Sequence, residues 1–190
     1  ITELFYGIFK MSHKYKLSLR KKGSKEFMGD EKTWEKAESI LRKILDKRVG
    51  KGKYEIAEGE GAFYGPKVDI IMEDSMGREW QMGTIQLDMQ MPLRFGLKYT
   101  DENNKEKNPI VIHRVIYGSL ERFIGILLEH TNGRLPTWLA PIEVRVLSFT
   151  DRNIDYAKKI ITKFGESIPE LRIDADFRST TVQSKVKEAE

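Results

Sequence analysis

The chain has 190 residues, with 33 Lys and Arg against 29 Asp and Glu, and a formal net charge of +4. This small excess permits nucleic-acid binding without requiring it. The sequence contains no cysteine, which excludes disulfides, thiolate metal sites and a cysteine nucleophile within these residues and fits a reducing compartment. No apolar run is long enough for a transmembrane helix, and no signal peptide is predicted.

The first part of the chain is predicted to form a helix end, a strand and a second helix. The amphipathic segment 2–10 is interpreted as the end of a helix whose earlier part lies outside the chain. Alternating side chains in 14–20 predict a strand with one solvated face. Asp30 is a suitable N-cap for the next helix, which is predicted to stop at Gly50. The inward face of that helix is predicted to contain Trp34, Ala37, Ile40, Leu41, Ile44 and Leu45.

Strand patterns dominate the middle of the chain. Residues 67–73 and 78–91 flank a turn, which predicts an antiparallel hairpin. Residues 110–115 are interpreted as a buried strand. The turn 117–119 leads from this strand into a helix that ends at residues 132–133. The apolar stripe of the helix is predicted to contain Leu120, Phe123, Ile124, Leu127 and Leu128.

The pattern changes after residue 140, which predicts two domains. The proline-containing segment 134–141 is typical of a linker. Beyond it, strand and helix patterns alternate, but a mixed sheet with helices usually needs about 100 residues, so only half of a small α/β domain is expected. The predicted fold class is α+β, with an antiparallel sheet and helices in 1–140 and a partial α/β domain in 141–190.

Two strand-region segments contain candidate binding residues. In GEGAFYGPK (59–67), three glycines and a proline allow close approach to a ligand, with Tyr64 and Lys67 at the rim; an ordinary loop is the alternative. In QMGTIQLD (81–88), alternation places Gln81 and Gln86 on opposite faces unless Gly83 introduces a bulge or a bend. Buried amides need partners, which a ligand can provide, although a solvated strand face is equally compatible with the pattern.

The start of the last helix in the first domain is a candidate anion site. Ser119 and Arg122 lie in its first turn, where free N–H groups and the helix dipole favour an anion. The alternative is a solvated Arg122 that pairs with Glu121 or Glu129. His113, among apolar residues, is more often a hydrogen-bonded core residue than a metal ligand, and the three histidines do not form a recognisable zinc motif.

Four separated blocks resemble the class II aminoacyl-tRNA synthetases, and among them the threonyl-tRNA synthetase family. GSLERFIGIL, within residues 110–128, is similar to the third class II motif. GEGAFYGPKVD, WQMGTIQLD and PIVIHR, in this order, are similar to threonyl enzymes specifically. DEKTWEKAE and LPTWLAPIEV extend the resemblance over nearly the whole chain.

The resemblance implies that residues 1–140 are part of a class II catalytic domain and that 141–190 begin an anticodon-binding domain. It implies a threonine–tRNA ligase, in which the threonine carboxylate attacks the α-phosphate of ATP and the threonyl group then passes to the 3′ end of the tRNA. The implied substrates and partners are threonine, ATP with Mg²⁺, and tRNA(Thr). A cytoplasmic homodimer without membrane association is expected.

Roles follow from the same resemblance. Arg122 is implied to hold the γ-phosphate region of ATP and, together with Lys67, to take part in catalysis. Tyr64 and Gln86, with Lys67, are implied to border the threonine and adenylate pocket. The residues implied to line the ATP site are Gln81, Thr84, Ser119 and Arg122.

His113 is implied to be one ligand of a Zn²⁺ ion that binds the amino group and hydroxyl of threonine. Such a site rejects valine, which lacks the hydroxyl, by about 10⁴-fold or more, but serine loses only a methyl group worth about 1–3 kcal/mol. The sequence departs from the family because the other zinc ligands, a Cys and a His, and the first two class II motifs are missing, and Met82 stands where many relatives have Cys. These residues alone are therefore expected to be inactive and to lack a tight zinc site.

Two other hypotheses remain open. The chain is alternatively a non-catalytic truncated synthetase paralogue that binds RNA, ATP or a synthetase partner. It is alternatively part of a prolyl or seryl class II enzyme, although His113 before the GSLER turn and the GEGAFYGPK block favour the threonyl type.

Overall fold

The structure, a computed structural model, describes residues 1–189. It consists of two compact units, Ile1–Gly133 and a second unit that begins at Arg134. The sequence prediction placed the domain boundary at 140/141. None of the helices in the described part is long and apolar enough to cross a membrane.

The first unit is built on a five-stranded sheet with the strand order β2-β1-β3-β4-β7. β1 and β2 pair in parallel and the other neighbours are antiparallel, so the predicted hairpin, formed by β3 and β4, is confirmed. β5 and β6 form a separate small hairpin, and a π-helical turn at Asp46–Gly50 extends α2. The elements are α1 (Thr2–Ile8), β1 (Lys14–Leu19), α2 (Glu31–Leu45), β2 (Glu55–Glu58), β3 (Lys67–Glu73), β4 (Glu79–Asp88), α3 (Met91–Arg94), β5 (Tyr99–Thr100), β6 (Glu106–Lys107), β7 (Val111–Val115) and α4 (Leu120–Thr131).

The α2 helix covers one face of this sheet and forms its main core. Asp30 caps the helix as predicted, since its carboxylate accepts a hydrogen bond from the Thr33 N–H at 2.9 Å. The prediction was wrong for Ile40 and Ile44, which are 44% and 51% exposed, because the sheet contacts a narrower arc of the helix than its apolar residues span. The central cluster contains Leu17, Leu19, Leu41, Leu45 and Val68.

The end of the first unit is more exposed than its sequence predicts. β7 is the outermost strand of the sheet, and the prediction of a buried strand was wrong because Ile110 and Ile112 are 59% and 63% exposed. Two of the five residues in the predicted apolar stripe of α4 are buried. Phe123 and Leu127 are buried, together with Ile126, whereas Leu120, Ile124 and Leu128 are exposed.

The second unit has the predicted alternation of strand and helix. Its elements are β8 (Val144–Leu147), α5 (Ile154–Ser167), β9 (Ile173–Asp176) and α6 (Val182–Ala189). β8 and β9 pair in parallel. Lys185 of α6 is buried and donates hydrogen bonds to the Ser148 carbonyl oxygen at 2.8 Å and to Ser148 Oγ at 3.0 Å. This ammonium group therefore ties α6 to the end of β8.

Candidate functional site

A β-bulge in β4 determines which side chains share the sheet face opposite α2. In the pairing of β3 with β4, Met82 has no residue opposite it. The extra residue shifts the alternation by one position, so Gln81 lies on the same face as Thr84 and Gln86. From the sequence, a shared face for Gln81 and Gln86 required a bulge or a bend near Gly83, and the structure shows this bulge.

Asp69 lies at the centre of this face and is fully buried. Its Oδ1 atom accepts hydrogen bonds from Gln81 Nε2 at 2.7 Å and from Thr84 Oγ1 at 3.0 Å. Its Oδ2 atom accepts from Ser18 Oγ at 2.7 Å and from Lys67 Nζ. Four donors thus compensate the loss of water around this carboxylate. Asp69 was not among the predicted site residues, and its one signal in the sequence is its position two residues after Lys67 on an alternating strand.

The glycine-rich segment 59–67 packs against the protein's own backbone. A Cβ atom at Gly65 would lie 1.7 Å from the Leu87 carbonyl oxygen, and one at Gly61 would lie 3.1 Å from the Leu19 carbonyl oxygen. The Leu87 N–H donates to the carbonyl oxygen of residue 66 at 3.0 Å. These glycines therefore allow the loop to lie on β1 and β4, and close approach to a ligand is not what requires them.

Tyr64, at the end of this loop, meets two site residues at the β7 side of the sheet. Its hydroxyl donates to Gln86 Oε1, and its ring centroid lies 5.7 Å from that of His113. Gln86 and His113 are directly opposite each other in the pairing of β4 with β7. The fold thus brings together three residues that are 22 or more positions apart in the sequence. All three belong to the threonine site that the resemblance implies.

His113 is paired with a second buried carboxylate, Asp88. His113 Nε2 lies 3.0 Å from Asp88 Oδ2, and because a carboxylate only accepts, this nitrogen carries the hydrogen. Burial opposes ionisation of Asp88, but hydrogen bonds from His113 and two backbone N–H groups outweigh it and lower the pKa of the carboxyl group. Burial and the charge of Asp88 raise the pKa of Tyr64. Asp88 was not among the predicted site residues either.

The donor set around His113 does not complete a zinc site. A zinc site needs three or four ligands, and no group of three or more His, Cys, Asp or Glu residues within 1–189 is arranged to hold a metal ion. His113 is half-exposed and Asp88 fully buried beside it. A second histidine, His13, instead contacts Glu3 at 3.2 Å. The described residues therefore offer one imidazole at this position and do not by themselves hold zinc.

Arg122 lies at the start of α4, next to the bulged part of β4. Ser119 is the N-cap of α4 and accepts a hydrogen bond from the Arg122 N–H at 3.2 Å. Arg122 Nη1 donates to the Gln81 carbonyl oxygen at 2.9 Å, and Arg122 Cζ lies 5.3 Å from the centroid of the Trp80 ring. Its side chain therefore contacts β4, and the alternative pairing with a glutamate of its own helix is not what the structure shows.

Trp80 connects Arg122 to the turn between β3 and β4. The guanidinium groups of Arg78 and Arg122 lie 5.7 Å and 5.3 Å from its ring centroid, and its Nε1–H donates to Asp74 Oδ2 at 2.8 Å. Burial opposes ionisation of Asp74, but hydrogen bonds from Trp80 and Arg78 hold its pKa well below the usual range. Arg78 also lies 3.8 Å from Glu129 of α4. Trp80 was missed at the sequence level, although it directly precedes Gln81.

The family is decided by a match that contains every predicted site residue. The model of the tRNA synthetase class II core domain (G, H, P, S and T) matches residues 8–131. The chain belongs to this family. The predicted site residues, from Tyr64 to Arg122, all lie inside the matched range, and the observed α+β architecture agrees with the fold expected from the resemblance.

Individual relatives narrow the similarity to threonyl enzymes. The chain is 44% identical over 190 residues to the threonine–tRNA ligase of Syntrophomonas wolfei. This match covers 100% of this chain and 29% of the relative. It is 46% identical over 190 residues to that of Caldanaerobacter subterraneus, with 100% and 28% covered. The chain thus spans less than a third of the length of these relatives.

Solved structures show the same similarity in three dimensions. The RNA binding domain of threonyl-tRNA synthetase from Cryptosporidium parvum superposes with a TM-score of 0.88 and 38% identity, covering 99% of this chain and 46% of that one. The structure described as threonyl-tRNA synthetase ThrRS-1 of Aeropyrum pernix superposes with a TM-score of 0.78 and 36% identity. The match covers 98% of this chain and 46% of that one.

Proposed function

We propose that the protein is a threonine–tRNA ligase and that this chain carries part of its catalytic machinery. The observation that supports this most strongly is 44% identity to threonine–tRNA ligases over all 190 residues. Residues 1–140 are proposed to belong to the catalytic domain, with the third class II motif at 110–128, and residues 141–190 to the anticodon-binding domain. Recognition of tRNA(Thr), a homodimeric assembly and a cytoplasmic location belong to the same proposal and stay predictions.

The proposed reaction has two steps. A carboxylate oxygen of threonine forms a bond to the α-phosphorus of ATP while the bond to the bridging oxygen of pyrophosphate breaks. A ribose hydroxyl at the 3′ end of the tRNA then attacks the threonyl carbonyl carbon, loses its proton, and AMP leaves. Catalysis of such transfers depends mostly on positioning and on stabilisation of charge, and ATP is proposed to enter as its Mg²⁺ complex.

Arg122 is proposed to bind the γ-phosphate region of ATP. Its guanidinium is a permanent bidentate donor, and its position in the first turn of α4 adds the positive end of the helix dipole. Lys67 is proposed to place a second positive charge near the reacting groups, while Gln81 and Thr84 line the ATP site. The capping hydrogen bond of Ser119 holds the first turn of α4 in place for Arg122.

Tyr64, Gln86 and His113 are proposed to border threonine. The Tyr64 hydroxyl donates to Gln86 Oε1, so the Gln86 amide group keeps its Nε2 hydrogens for a ligand. His113 uses Nε2 toward Asp88, which leaves Nδ1 as the ring nitrogen available for another partner. Because the described residues do not complete a zinc site, zinc is given no step in this proposal.

The test is amino-acid-dependent ATP–pyrophosphate exchange by the protein at its full length. We expect exchange with threonine at least about tenfold faster than with proline or serine, and Arg122→Ala is expected to reduce it by roughly 10²-fold or more, as loss of a charge-stabilising donor does. Arg94→Ala, at an exposed arginine of α3, is the matched control and keeps exchange within about twofold. Exchange that depends on proline or serine would contradict the threonine assignment, and ATP binding without any exchange would favour the non-catalytic paralogue.

A further inference from the structure

We propose that Asp69 is a positioning residue, which fixes Lys67, Gln81 and Thr84 and determines how the last two present their hydrogen-bonding groups to a ligand. This role rests on the proposed function, because those three residues are the ones assigned to ATP and catalysis. Asp69 is fully buried, so it does not itself touch a substrate. Its effect has to pass through the four side chains that donate to it.

The polarity of the site follows from the chemistry of a carboxylate. An ionised carboxylate only accepts hydrogen bonds, so Gln81 turns its NH₂ group inward and keeps Oε1 for the ligand side. Thr84 has one hydroxyl hydrogen and gives it to Asp69, so it offers only lone pairs to a ligand. Gln81 and Thr84 therefore suit ligand groups that donate, such as hydroxyls or amines, whereas phosphate oxygens match the cations Lys67 and Arg122.

Lys67 depends on Asp69 in a different way. Its side chain is 13% exposed, and its ammonium group is paired with the fully buried carboxylate of Asp69. Two of its three N–H donors remain for other partners, so Asp69 fixes the direction in which the charge points. Replacing Asp69 by Asn puts an NH₂ group against two of the present donors. If the NH₂ group faces Ser18 and Lys67, the Lys67 ammonium has to move away because it has no acceptor lone pair. If it faces Gln81 and Thr84, the Gln81 amide has to turn over, which reverses the group that Gln81 presents to a ligand. In both orientations Lys67 loses its charged partner.

A purely structural role predicts a different result from a positioning role. Asp69 joins β1, β3 and β4 through its hydrogen bonds, and a variant that only loosened these strands would weaken all substrate interactions together. Two of the site residues that donate to Asp69, Gln81 and Thr84, are assigned to ATP, and only Lys67 borders the proposed threonine pocket. The Tyr64 hydroxyl donates to Gln86 instead of to Asp69. A positioning role therefore predicts an effect on the KM for ATP that is larger than the effect on the KM for threonine.

The kinetic test compares Asp69→Asn, Asp69→Glu and the control Asp101→Asn in threonine-dependent pyrophosphate exchange by the full-length protein. Asp101 is also a carboxylate paired with a lysine, Lys107 at 2.6 Å, but it lies in the turn of the separate β5–β6 hairpin. We expect Asp69→Asn to raise the KM for ATP about tenfold and the KM for threonine less than twofold. Asp69→Glu is expected to retain more activity than Asp69→Asn, and Asp101→Asn to match the wild type. Equal increases in both KM values, or no change, overturns the positioning role.

A double-mutant cycle tests the link to Lys67. If Asp69 acts partly through Lys67, Asp69→Asn lowers exchange by a smaller factor in the Lys67→Met background than in the wild type. Additive effects would contradict this link.

A second readout does not need enzymatic activity. Lysine acetylation followed by mass spectrometry is expected to label Lys67 about fivefold faster in Asp69→Asn, because the ammonium group loses its buried partner, whereas Lys98, which is 59% exposed, keeps its rate. Unchanged labelling of Lys67 overturns the proposal. If the wild type lacks threonine-dependent exchange but Lys67 labelling rises as expected, the proposed function fails while the structural basis of Asp69 positioning stands.

Discussion

Replacing Gly65 by Ala is expected to destabilise the first unit strongly. The added Cβ would lie 1.7 Å from the Leu87 carbonyl oxygen, where ordinary contacts are 3.4–4 Å, and the atom it meets is backbone, which cannot rotate away. Overpacking of this kind costs about 1–3 kcal/mol. Moving the loop away also breaks the hydrogen bond from the Leu87 N–H to the carbonyl oxygen of residue 66, worth about 1 kcal/mol. The expected loss in free energy of unfolding is about 2–4 kcal/mol.

Urea denaturation followed by tryptophan fluorescence measures this change, because Trp34 is buried in the first unit and becomes solvated on unfolding. The matched control is Gly125→Ala, the same chemical change in the interior of α4, where an added Cβ meets nothing within 4 Å. Because alanine is the better helix former, the control is expected to gain about 0.5–1 kcal/mol. A loss of less than about 0.5 kcal/mol in Gly65→Ala would refute the account of how this loop packs.

Three further outcomes are expected. Ser119→Ala lowers the free energy of unfolding in urea by about 0.5–2 kcal/mol through loss of the α4 cap, and an unchanged midpoint would contradict this. The lowered pKa of Asp88 means that its ionised carboxylate stabilises the fold at pH values above the unfolded pKa of about 3.9, and this stabilisation is lost as the pH falls through the folded pKa. The difference in free energy of unfolding between the wild type and Asp88→Asn should therefore shrink from pH 7 to pH 3. A constant difference would refute this role of Asp88. Trp80→Leu raises the KM for ATP about two- to fivefold by removing the cation–π contact with Arg122, and equal KM values would exclude that role.

The features that were predicted correctly depend on signals close together in the sequence. Asp30 precedes its helix and caps it, and the strands 67–73 and 79–88 pair across a short turn that contains Gly77. The parallel pairing of β8 with β9 agrees with the alternation of strand and helix in the second unit. The helix cap and the hairpin follow from the chemistry of a few neighbouring residues.

The missed features depend on long-range pairing. At the bulge, β4 has one more residue than the facing part of β3, so Met82 is unpaired. This pairing places Gln81 beside Asp69. The exposure of Ile112 similarly follows from the position of β7 at the end of the sheet, which the strand's own apolar composition does not reveal. The stacking of Arg122 on Trp80 joins residues 42 positions apart on two different elements, so no local pattern indicates it.

We propose that this protein attaches threonine to tRNA. The most direct test of this proposal is to incubate the full-length protein with ATP, unfractionated tRNA and labelled threonine, serine, valine or proline in parallel, and to measure the label in precipitated tRNA. We expect threonine to accumulate on tRNA, valine and proline not to do so, and Arg122→Ala to lower the initial rate by roughly 10²-fold or more. Transfer of proline or serine in place of threonine, or no transfer of any of them, would contradict it.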